Sequence, residues 1–505
     1  MKPAKVISAG IWGIEAIPIE VEADISDGLP SFNIVGLPDK AVEEAKERVK
    51  AAIKNSPFKF PTQKITVNLA PADIPKIGTI YDLPIAIAIL IASGQIPPLL
   101  KKILILGELA LGGQLRRIRG VFPMVELAEK KSFEEIIVPL SNAKEGISKK
   151  TQIKGAENLF DVALYLRGEK ELSVFNSKIN PEEFLDFEND FSYIKGQEVA
   201  KRALEIAAAG GHNVLMVGPP GVGKTLLARS FPSILPPLNF EEILEVNRIY
   251  SVAGFLREKI LTSRPFRTPH HTDSVVSIVG GGRIPRPGEI SLAHRGVLFL
   301  DEFAEFPRSI IEALRQPLED GQITVARASF SFNFPAKFTL IAAQNPCPCG
   351  YFGDKERECR CSPSQIIKYQ QKISGPILDR IDITLYLGRV DFEKLESKDD
   401  QKTSSQIRKK VEMAREIQSK RFEKEKIFTN SEMKPNLIKK YCQIDETSYQ
   451  LLKNAVEKFH LSPRSYHKIL KLARTIADLE NSANLNKEHI GEAIQYQRYF
   501  HLDRF

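Results

Sequence analysis

The chain has 505 residues, too many for a single hydrophobic core. This length predicts about three domains. Hydrophobic residues make up 43% and charged residues 27%, as in ordinary globular proteins, and the longest apolar run, residues 83–92, is too short to span a membrane. The net charge of +8 permits a polyanionic partner but supports nucleic acid only weakly. We find no signal-peptide core and predict a cytoplasmic protein without a membrane partner.

Residues 1–168 alternate between strand-like and helical patterns, which predicts a separate α/β domain. Its strand-like segments include 14–21 and 64–68, and a helical segment spans 41–54. Between residues 167 and 190 the apolar periodicity weakens, while charged residues, Asn and Pro accumulate. We interpret that stretch as a linker.

A glycine-rich turn follows the apolar run 214–217, and this combination predicts a P-loop. Backbone N–H groups of such a turn and of the next helix form an anion cradle. Lys224 is expected to place its charge at the β- and γ-phosphates, and Thr225 to offer a hydroxyl to Mg²⁺. The predicted nucleotide-binding residues are Gly218, Pro219, Pro220, Gly221, Val222, Gly223, Lys224 and Thr225. We therefore predict that the chain binds ATP with Mg²⁺.

A second apolar strand, residues 297–300, ends in Asp301 and Glu302. Asp301 is expected to hold Mg²⁺ through water, and Glu302 to orient the attacking water. Alone, this segment also fits a plain strand with an acidic turn, but its pairing with a P-loop favours ATP hydrolysis. Further strands at 338–343 and 383–387 predict a parallel nucleotide-binding sheet, and the pattern after Gly388 is helical.

Four cysteines lie in two Cys-x-Cys pairs, Cys347 with Cys349 and Cys359 with Cys361. Four thiolates on one folded loop would suit a tetrahedral Zn²⁺ site. The spacing is shorter than in the usual zinc knuckle, so free thiols and redox chemistry stay open as alternatives.

Two adjacent histidines, His270 and His271, are predicted to point their side chains apart. A shared metal is then not expected. We predict polar contacts in a loop for both and no catalytic role.

The chain resembles the magnesium-chelatase-like branch of AAA+ ATPases known as the ComM/YifB family. The most specific match is a block that starts Arg264-Pro-Phe-Arg-Thr-Pro-His-His-Thr and continues through Pro285-Arg-Pro-Gly-Glu-Ile-Ser-Leu to Asp301. This resemblance implies a P-loop AAA+ α/β domain with a parallel sheet at 190–388, which includes the cysteine-rich loop 347–361. It also implies a C-terminal helical lid domain at 390–505.

The same resemblance implies roles for residues outside the P-loop. Asn345 corresponds to sensor 1, Arg464 to sensor 2 of the lid, and residues 191–197 to the segment that flanks the adenine. From its own sequence context, Asn345 could also be a turn residue before Pro346.

Arg380 resembles the arginine finger, which neutralises transition-state charge on a neighbouring subunit's ATP. This role implies a homo-oligomeric ring, expected to be hexameric by analogy. The alternative for Arg380 is an intramolecular salt bridge with Asp379 or Asp382.

The N-terminal domain, residues 1–168, resembles the Lon-protease-like fold. Its expected serine and lysine positions match Ile80 and Phe122, which cannot act as nucleophile or base. The resemblance therefore implies a non-catalytic domain. Thr79 near Lys76 is the one pair that leaves peptidase activity as an alternative.

Membership of this family would imply ATP-driven DNA translocation or branch migration, a helicase-like activity of the natural transformation or recombination type. The partner would be single-stranded or branched DNA. The alternative is a chelatase-type motor that remodels a protein partner, while a Lon-like protease is disfavoured by the missing Ser-Lys pair. Basic residues in the segment 264–295 would fit a pore that holds DNA phosphates, or else a subunit interface. They include Arg267, Arg283, Arg286 and Arg295.

Overall fold

The structure is a computed structural model that describes residues 3–175, 189–256, 260–282, 285–327, 330–390, 402–425 and 427–497. Its strands are β1 (Ala4–Trp12), β2 (Glu15–Ser26), β3 (Ser31–Val35), β4 (Lys64–Ala70), β5 (Ile103–Ile105), β6 (Glu108–Leu109), β7 (Leu115–Arg116), β8 (Glu135–Pro139), β9 (Gln152–Ala156), β10 (Ser173–Phe175), β11 (Val214–Val217), β12 (Phe266–Arg267), β13 (Gly280–Gly281), β14 (Arg286–Pro287), β15 (Val297–Leu300), β16 (Gln322–Arg327), β17 (Phe330–Pro335), β18 (Thr339–Gln344) and β19 (Ile383–Tyr386).

The α-helices are α1 (Lys40–Glu43), α2 (Ala45–Lys54), α3 (Asp82–Ala92), α4 (Val121–Lys130), α5 (Leu159–Arg167), α6 (Glu198–Gly210), α7 (Lys224–Ser230), α8 (Phe240–Ala253), α9 (Val275–Val279), α10 (Glu289–Leu292), α11 (Arg308–Ala313), α12 (Arg315–Asp320), α13 (Pro363–Gln370), α14 (Gly375–Leu378), α15 (Ser404–Phe422), α16 (Pro435–Tyr441), α17 (Glu446–Lys458), α18 (Pro463–Leu479) and α19 (Lys487–Gln495). Among the described residues, no helix is both long and apolar enough to cross a lipid bilayer.

The chain divides into two compact units, the first comprising Met1–Asn180 and Phe240–Thr262, the second Pro181–Asn239 and Ser263–Phe505. The first unit contains a mixed sheet of order β10-β9-β8-β5-β1-β2-β4-β3. Helix α3, an apolar segment buried from Asp82 to Leu90, packs on β1 and β2 and fills the core of this unit.

Helix α8 belongs to the first unit, although its sequence lies between α7 and β12. It packs on α4, where the Arg248 guanidinium donates two hydrogen bonds of 2.8 Å to the Glu126 carboxylate. The backbone N–H of Phe122 donates to the Ser251 hydroxyl at 3.1 Å. These contacts make α8 part of the first unit's structure.

The second unit is built on a sheet of order β12-β15-β18-β11-β19, in which all described pairings are parallel. Side chains of Val214, Phe299 and Ile341 are buried because helices cover both faces of a parallel sheet. Helix α6 packs against α15 and α18 of the helical C-terminal region. The predicted fold class, a mixed α/β chain with a parallel sheet and a helical C-terminal region, is confirmed. The domain boundaries at 168, 190 and 388–390 stay predictions.

Candidate active site

The P-loop lies between β11 and α7, and its glycines keep the turn open. Gly221 and Gly223 have φ angles of +83° and +89°, in the left-handed region that favours glycine. A Cβ atom placed on either residue would meet no other atom within 4 Å. The turn therefore has the open space beside its backbone that a phosphate cradle needs.

Lys224 begins α7, and its ammonium group points back into the P-loop. It donates hydrogen bonds to the carbonyl oxygens of Gly218 and Pro219 at 2.6 and 2.9 Å, and to Oδ1 of Asn345 at 3.2 Å. Burial lowers the pKa of Lys224 to about 8, against the opposing effect of the Asp301 carboxylate. The structure thus brings the predicted phosphate lysine and the predicted sensor 1 asparagine together.

Thr225 and Asp301 also meet at these strand ends. The Thr225 hydroxyl donates a 2.8 Å hydrogen bond to Oδ2 of Asp301. The two residues come from neighbouring parts of one sheet, since β18 separates β11 from β15 and all three strands are parallel. Hydroxyl and carboxylate oxygens are the ligands that Mg²⁺ prefers, so this pair fits the predicted magnesium site.

Glu302 follows directly and has a positive φ of 51°, which is uncommon for a residue with a side chain. Its N–H donates to Oδ1 of Asp301 at 2.9 Å, and its carboxylate is more than half exposed. Oε2 of Glu302 lies 3.3 Å from Nδ1 of His271.

The rings of His270 and His271 are 4.1 Å apart and tilted by 33°. The prediction that these side chains diverge is therefore wrong. A tight turn, in which the His270 N–H donates to Asp273 at 3.0 Å, brings both rings to one side of the loop. The sequence did not predict the contact of His271 with Glu302. The only sign of it was a histidine that precedes, in sequence, the strand ending in two acidic residues.

Arg380 and Arg464 form a separate group around Glu319 on α12. Arg380 donates one hydrogen bond to the Glu319 carboxylate and another, of 2.6 Å, to the Pro376 carbonyl. Arg464 lies 3.6 Å from the same carboxylate. The structure therefore joins the predicted finger and the predicted sensor 2 through a glutamate that the sequence did not single out.

The alternative partners considered for Arg380 were Asp379 and Asp382. Asp382 instead accepts a hydrogen bond from the N–H of Asn213 at 3.1 Å and lies 3.6 Å from Nδ1 of His212. The intramolecular ion pair of Arg380 thus exists, but with Glu319.

The segment predicted to flank the adenine packs beside the P-loop. Phe191 is fully buried, and its N–H donates to the Ser404 hydroxyl at 2.8 Å. The Gln197 amide donates to the carbonyl oxygens of Gly388 and Val222, at 2.8 and 3.4 Å. Residues of this segment thus contact both the P-loop and the end of β19.

The four cysteine sulfurs of the loop 347–361 lie within 4.8 Å of one another. Cys347 Sγ is 3.4 Å from Cys349 Sγ and 3.7 Å from Cys359 Sγ. The cysteine loop packs closely against the P-loop. A Cβ atom added to Gly350 would lie only 2.8 Å from Cδ of Pro220. Four thiols in one cluster are a donor set that suits Zn²⁺.

The predicted DNA-binding arginines are in different surroundings. Arg267 pairs with Glu289 through two contacts of 2.6 Å, and the Arg295 guanidinium stacks 4.6 Å from the centre of the Phe428 ring. Arg286 is exposed on the short hairpin β13–β14, and Arg283 lies outside the described residues.

In the first unit, Ile80 and Phe122 are buried, as non-catalytic core residues would be. The Lys76 ammonium donates to the Pro71 carbonyl, and the Thr79 hydroxyl donates to Glu108. Lys76 and Thr79, the one pair considered for peptidase activity, therefore each form a hydrogen bond with a different residue and not with each other.

A parallel sheet that carries a P-loop and an acidic pair at its strand ends, followed by a helical region, defines a P-loop ATPase of the AAA+ type. Residues 21–142 match the family described as subunit ChlI of Mg-chelatase. Residues 190–395 match magnesium chelatase, subunit ChlI, and residues 401–497 match magnesium chelatase, subunit ChlI C-terminal.

Similar proteins extend the match over the whole chain. Competence protein ComM of Haemophilus influenzae is 43% identical over 510 residues, which cover 99% of each chain. The uncharacterized protein YifB of Escherichia coli is 42% identical over 96% of this chain and 95% of its own. The magnesium-chelatase 38 kDa subunit of Cereibacter sphaeroides is 28% identical over 31% of this chain and 52% of its own. The chain belongs to the ComM/YifB family of magnesium-chelatase-like AAA+ ATPases.

Proposed function

We propose that this protein is a ring ATPase that couples ATP hydrolysis to DNA translocation or branch migration, a helicase-like motor of the natural transformation or recombination type. The observation that carries the ATPase part is the meeting of Lys224 with Asn345 and of Thr225 with Asp301 at the ends of parallel strands. These four side chains come from three separate segments, which only the folded sheet brings together.

In the proposed reaction, Lys224 stabilises negative charge on the β- and γ-phosphates, and Asn345 keeps its ammonium in place. Glu302 orients the attacking water. Thr225 and Asp301 would hold Mg²⁺, which neutralises charge on the phosphate oxygens when bound.

AAA+ ATPases are typically oligomeric, and we extend this to a hexameric ring in which Arg380 serves the neighbouring subunit's ATP. Arg464 is proposed as sensor 2. Both guanidinium groups contact the Glu319 carboxylate, so the proposed finger and the proposed sensor 2 lie close together within the second unit.

The DNA part of the proposal rests on similarity across 99% of the chain to a protein named for competence. Arg286, which is exposed on the hairpin β13–β14, gives modest support. The alternative is a chelatase-type motor that remodels a protein partner, which the matches of 21–142, 190–395 and 401–497 to chelatase subunits favour.

We also propose that the cysteine loop holds one Zn²⁺. A tetrahedral site with Zn–S bonds of about 2.3 Å separates the sulfurs by roughly 3.8 Å. The distances of 3.4 Å between Cys347 and Cys349 and of 3.6 Å between Cys349 and Cys359 are close to that value. None of the five cysteines, all of them among the described residues, forms a disulfide, which supports the proposed cytoplasmic location.

Phosphate release measured with and without single-stranded, duplex and four-way DNA tests the whole proposal. We expect Mg²⁺-dependent hydrolysis that DNA stimulates, and ATP-dependent migration of a four-way junction. If the wild-type ring hydrolyses ATP but neither binds DNA at low salt nor moves the junction, the protein-remodelling alternative takes its place.

A further inference from the structure

The contact between His271 and Glu302 joins two loops at one edge of the parallel sheet. Strand β12 pairs with β15 in parallel, with Phe266 opposite Val297 and Arg267 opposite Leu298. The chain that leaves β12 therefore emerges at the same edge as the acidic pair that follows β15. This register places Nδ1 of His271 3.3 Å from Oε2 of Glu302.

Two aromatic rings pack against the His271 ring in this position. Its centroid lies 4.1 Å from that of His270 and 6.3 Å from that of Phe306, and the Phe306 contact is edge-on with an interplanar angle of 77°. Hydrogen bonds within the loop hold the backbone, since the His270 N–H donates to Asp273 at 3.0 Å and its Nδ1 contacts the Thr272 hydroxyl at 2.7 Å. The imidazole is thus more constrained than the carboxylate that it contacts.

Glu302, by contrast, has an exposed side chain on a strained backbone. It is 57% exposed, so burial does not select one orientation of the carboxylate. Its positive φ of 51° is a conformation that costs free energy and persists where the surrounding structure enforces it. A carboxylate that orients water must nevertheless be directed to within hydrogen-bond reach of that water.

We propose that His271 is the positioning residue of Glu302. Its Nδ1–H donates to Oε2 and selects the orientation in which the other carboxylate oxygen remains able to accept a hydrogen bond from water. This inference rests on the proposed ATPase function, and it gives His271 a role through Glu302 and no contact of its own with the reacting atoms.

Three variants of the full-length protein separate hydrogen bonding from packing. His271→Phe keeps a ring that can pack against His270 and Phe306 but cannot donate, whereas His271→Gln can donate through its amide. We expect His271→Phe and His271→Ala to lower kcat by about tenfold or more with the KM for ATP nearly unchanged, because they affect the position of a catalytic group and leave the phosphate cradle intact. His271→Gln should recover most of the missing kcat. All three should keep the wild-type melting temperature to within a few degrees.

A kcat of His271→Phe equal to that of the wild type would overturn the inference. So would a His271→Gln protein that is no more active than His271→Phe, because the ring alone would then matter. The ATPase proposal fails separately, and is recognised by a wild-type protein that does not hydrolyse ATP or by a Glu302→Gln protein that hydrolyses it normally.

Discussion

Oδ1 of Asn345 accepts a 3.2 Å hydrogen bond from the ammonium group of Lys224. Asn345 follows β18 and Lys224 follows the turn after β11, and these strands pair in parallel from Val214 opposite Ile341 to Val217 opposite Gln344. The register therefore places an amide beside the lysine that we assign to the phosphates. Among the described residues, the Lys224 ammonium donates only to uncharged oxygens, and burial lowers its pKa against the opposing effect of the Asp301 carboxylate. A bound phosphate would add opposite charge directly beside this ammonium group.

Two substitutions at the strand ends should separate nucleotide binding from hydrolysis. Lys224→Ala should abolish ATP binding, since it removes the buried cation of the cradle. Glu302→Gln should bind ATP with near wild-type affinity and lose about 10²-fold or more in kcat, since an amide cannot accept the proton of the attacking water. Titration with a fluorescent ATP analogue and phosphate release measure the two effects. Wild-type turnover of Glu302→Gln would disprove its assignment.

Arg380→Ala should leave ATP binding intact and reduce turnover by about 10³-fold, the contribution typical of an arginine finger. Each subunit would lend its finger to the next, so mixing Arg380→Ala with Lys224→Ala protein should restore part of the activity. Each variant measured alone is the control. If no mixing ratio restores turnover, Arg380 does not act on a neighbouring subunit.

The sheet of the second unit was well predicted from the sequence. Its central strands are short apolar runs, and two of them end in motifs that require a preceding strand. These motifs therefore predict both that the segment is a strand and where it ends. The predicted segments 214–217 and 297–300 coincide with β11 and β15. The pairing of Thr225 with Asp301 follows from these motifs, because the carboxyl ends of parallel strands share one edge.

Other contacts depend on tertiary packing that no local pattern contains. Helix α8 belongs to the first unit through contacts that are distant in sequence, such as that of Arg248 with Glu126, 122 residues earlier. Likewise, Arg380 pairs with Glu319, 61 residues away, whereas sequence reasoning considered only neighbouring acids. Such residues become neighbours only in the folded chain, so a local sequence pattern does not identify them.

The cysteine loop should bind about one zinc ion per chain when the protein is purified without chelator. Cys359→Ser should lose that zinc, and Cys442→Ser, which changes a buried cysteine outside the cluster, should keep it. Since the loop packs on Pro220, loss of the metal should also weaken ATP binding. Elemental analysis and thiol titration under native conditions provide the measurements. Protein without zinc, in which all four thiols react freely, would favour free cysteines.

Arg286 on the hairpin β13–β14 offers a test that distinguishes DNA binding from subunit assembly. Arg286→Ala, alone or with Arg283→Ala, should weaken DNA binding while the ring stays intact in gel filtration, if these arginines contact phosphates. The slope of the logarithm of affinity against the logarithm of salt should fall by about one for each arginine–phosphate interaction that the substitution removes. Lys453→Ala is a charge-matched control, because Lys453 is half exposed on α17 and only 4.0 Å from Glu457 in a weak surface pair. Dissociation of the ring in the Arg286→Ala protein would instead assign this arginine to the subunit interface, and DNA contacts would then have to be sought elsewhere on the chain.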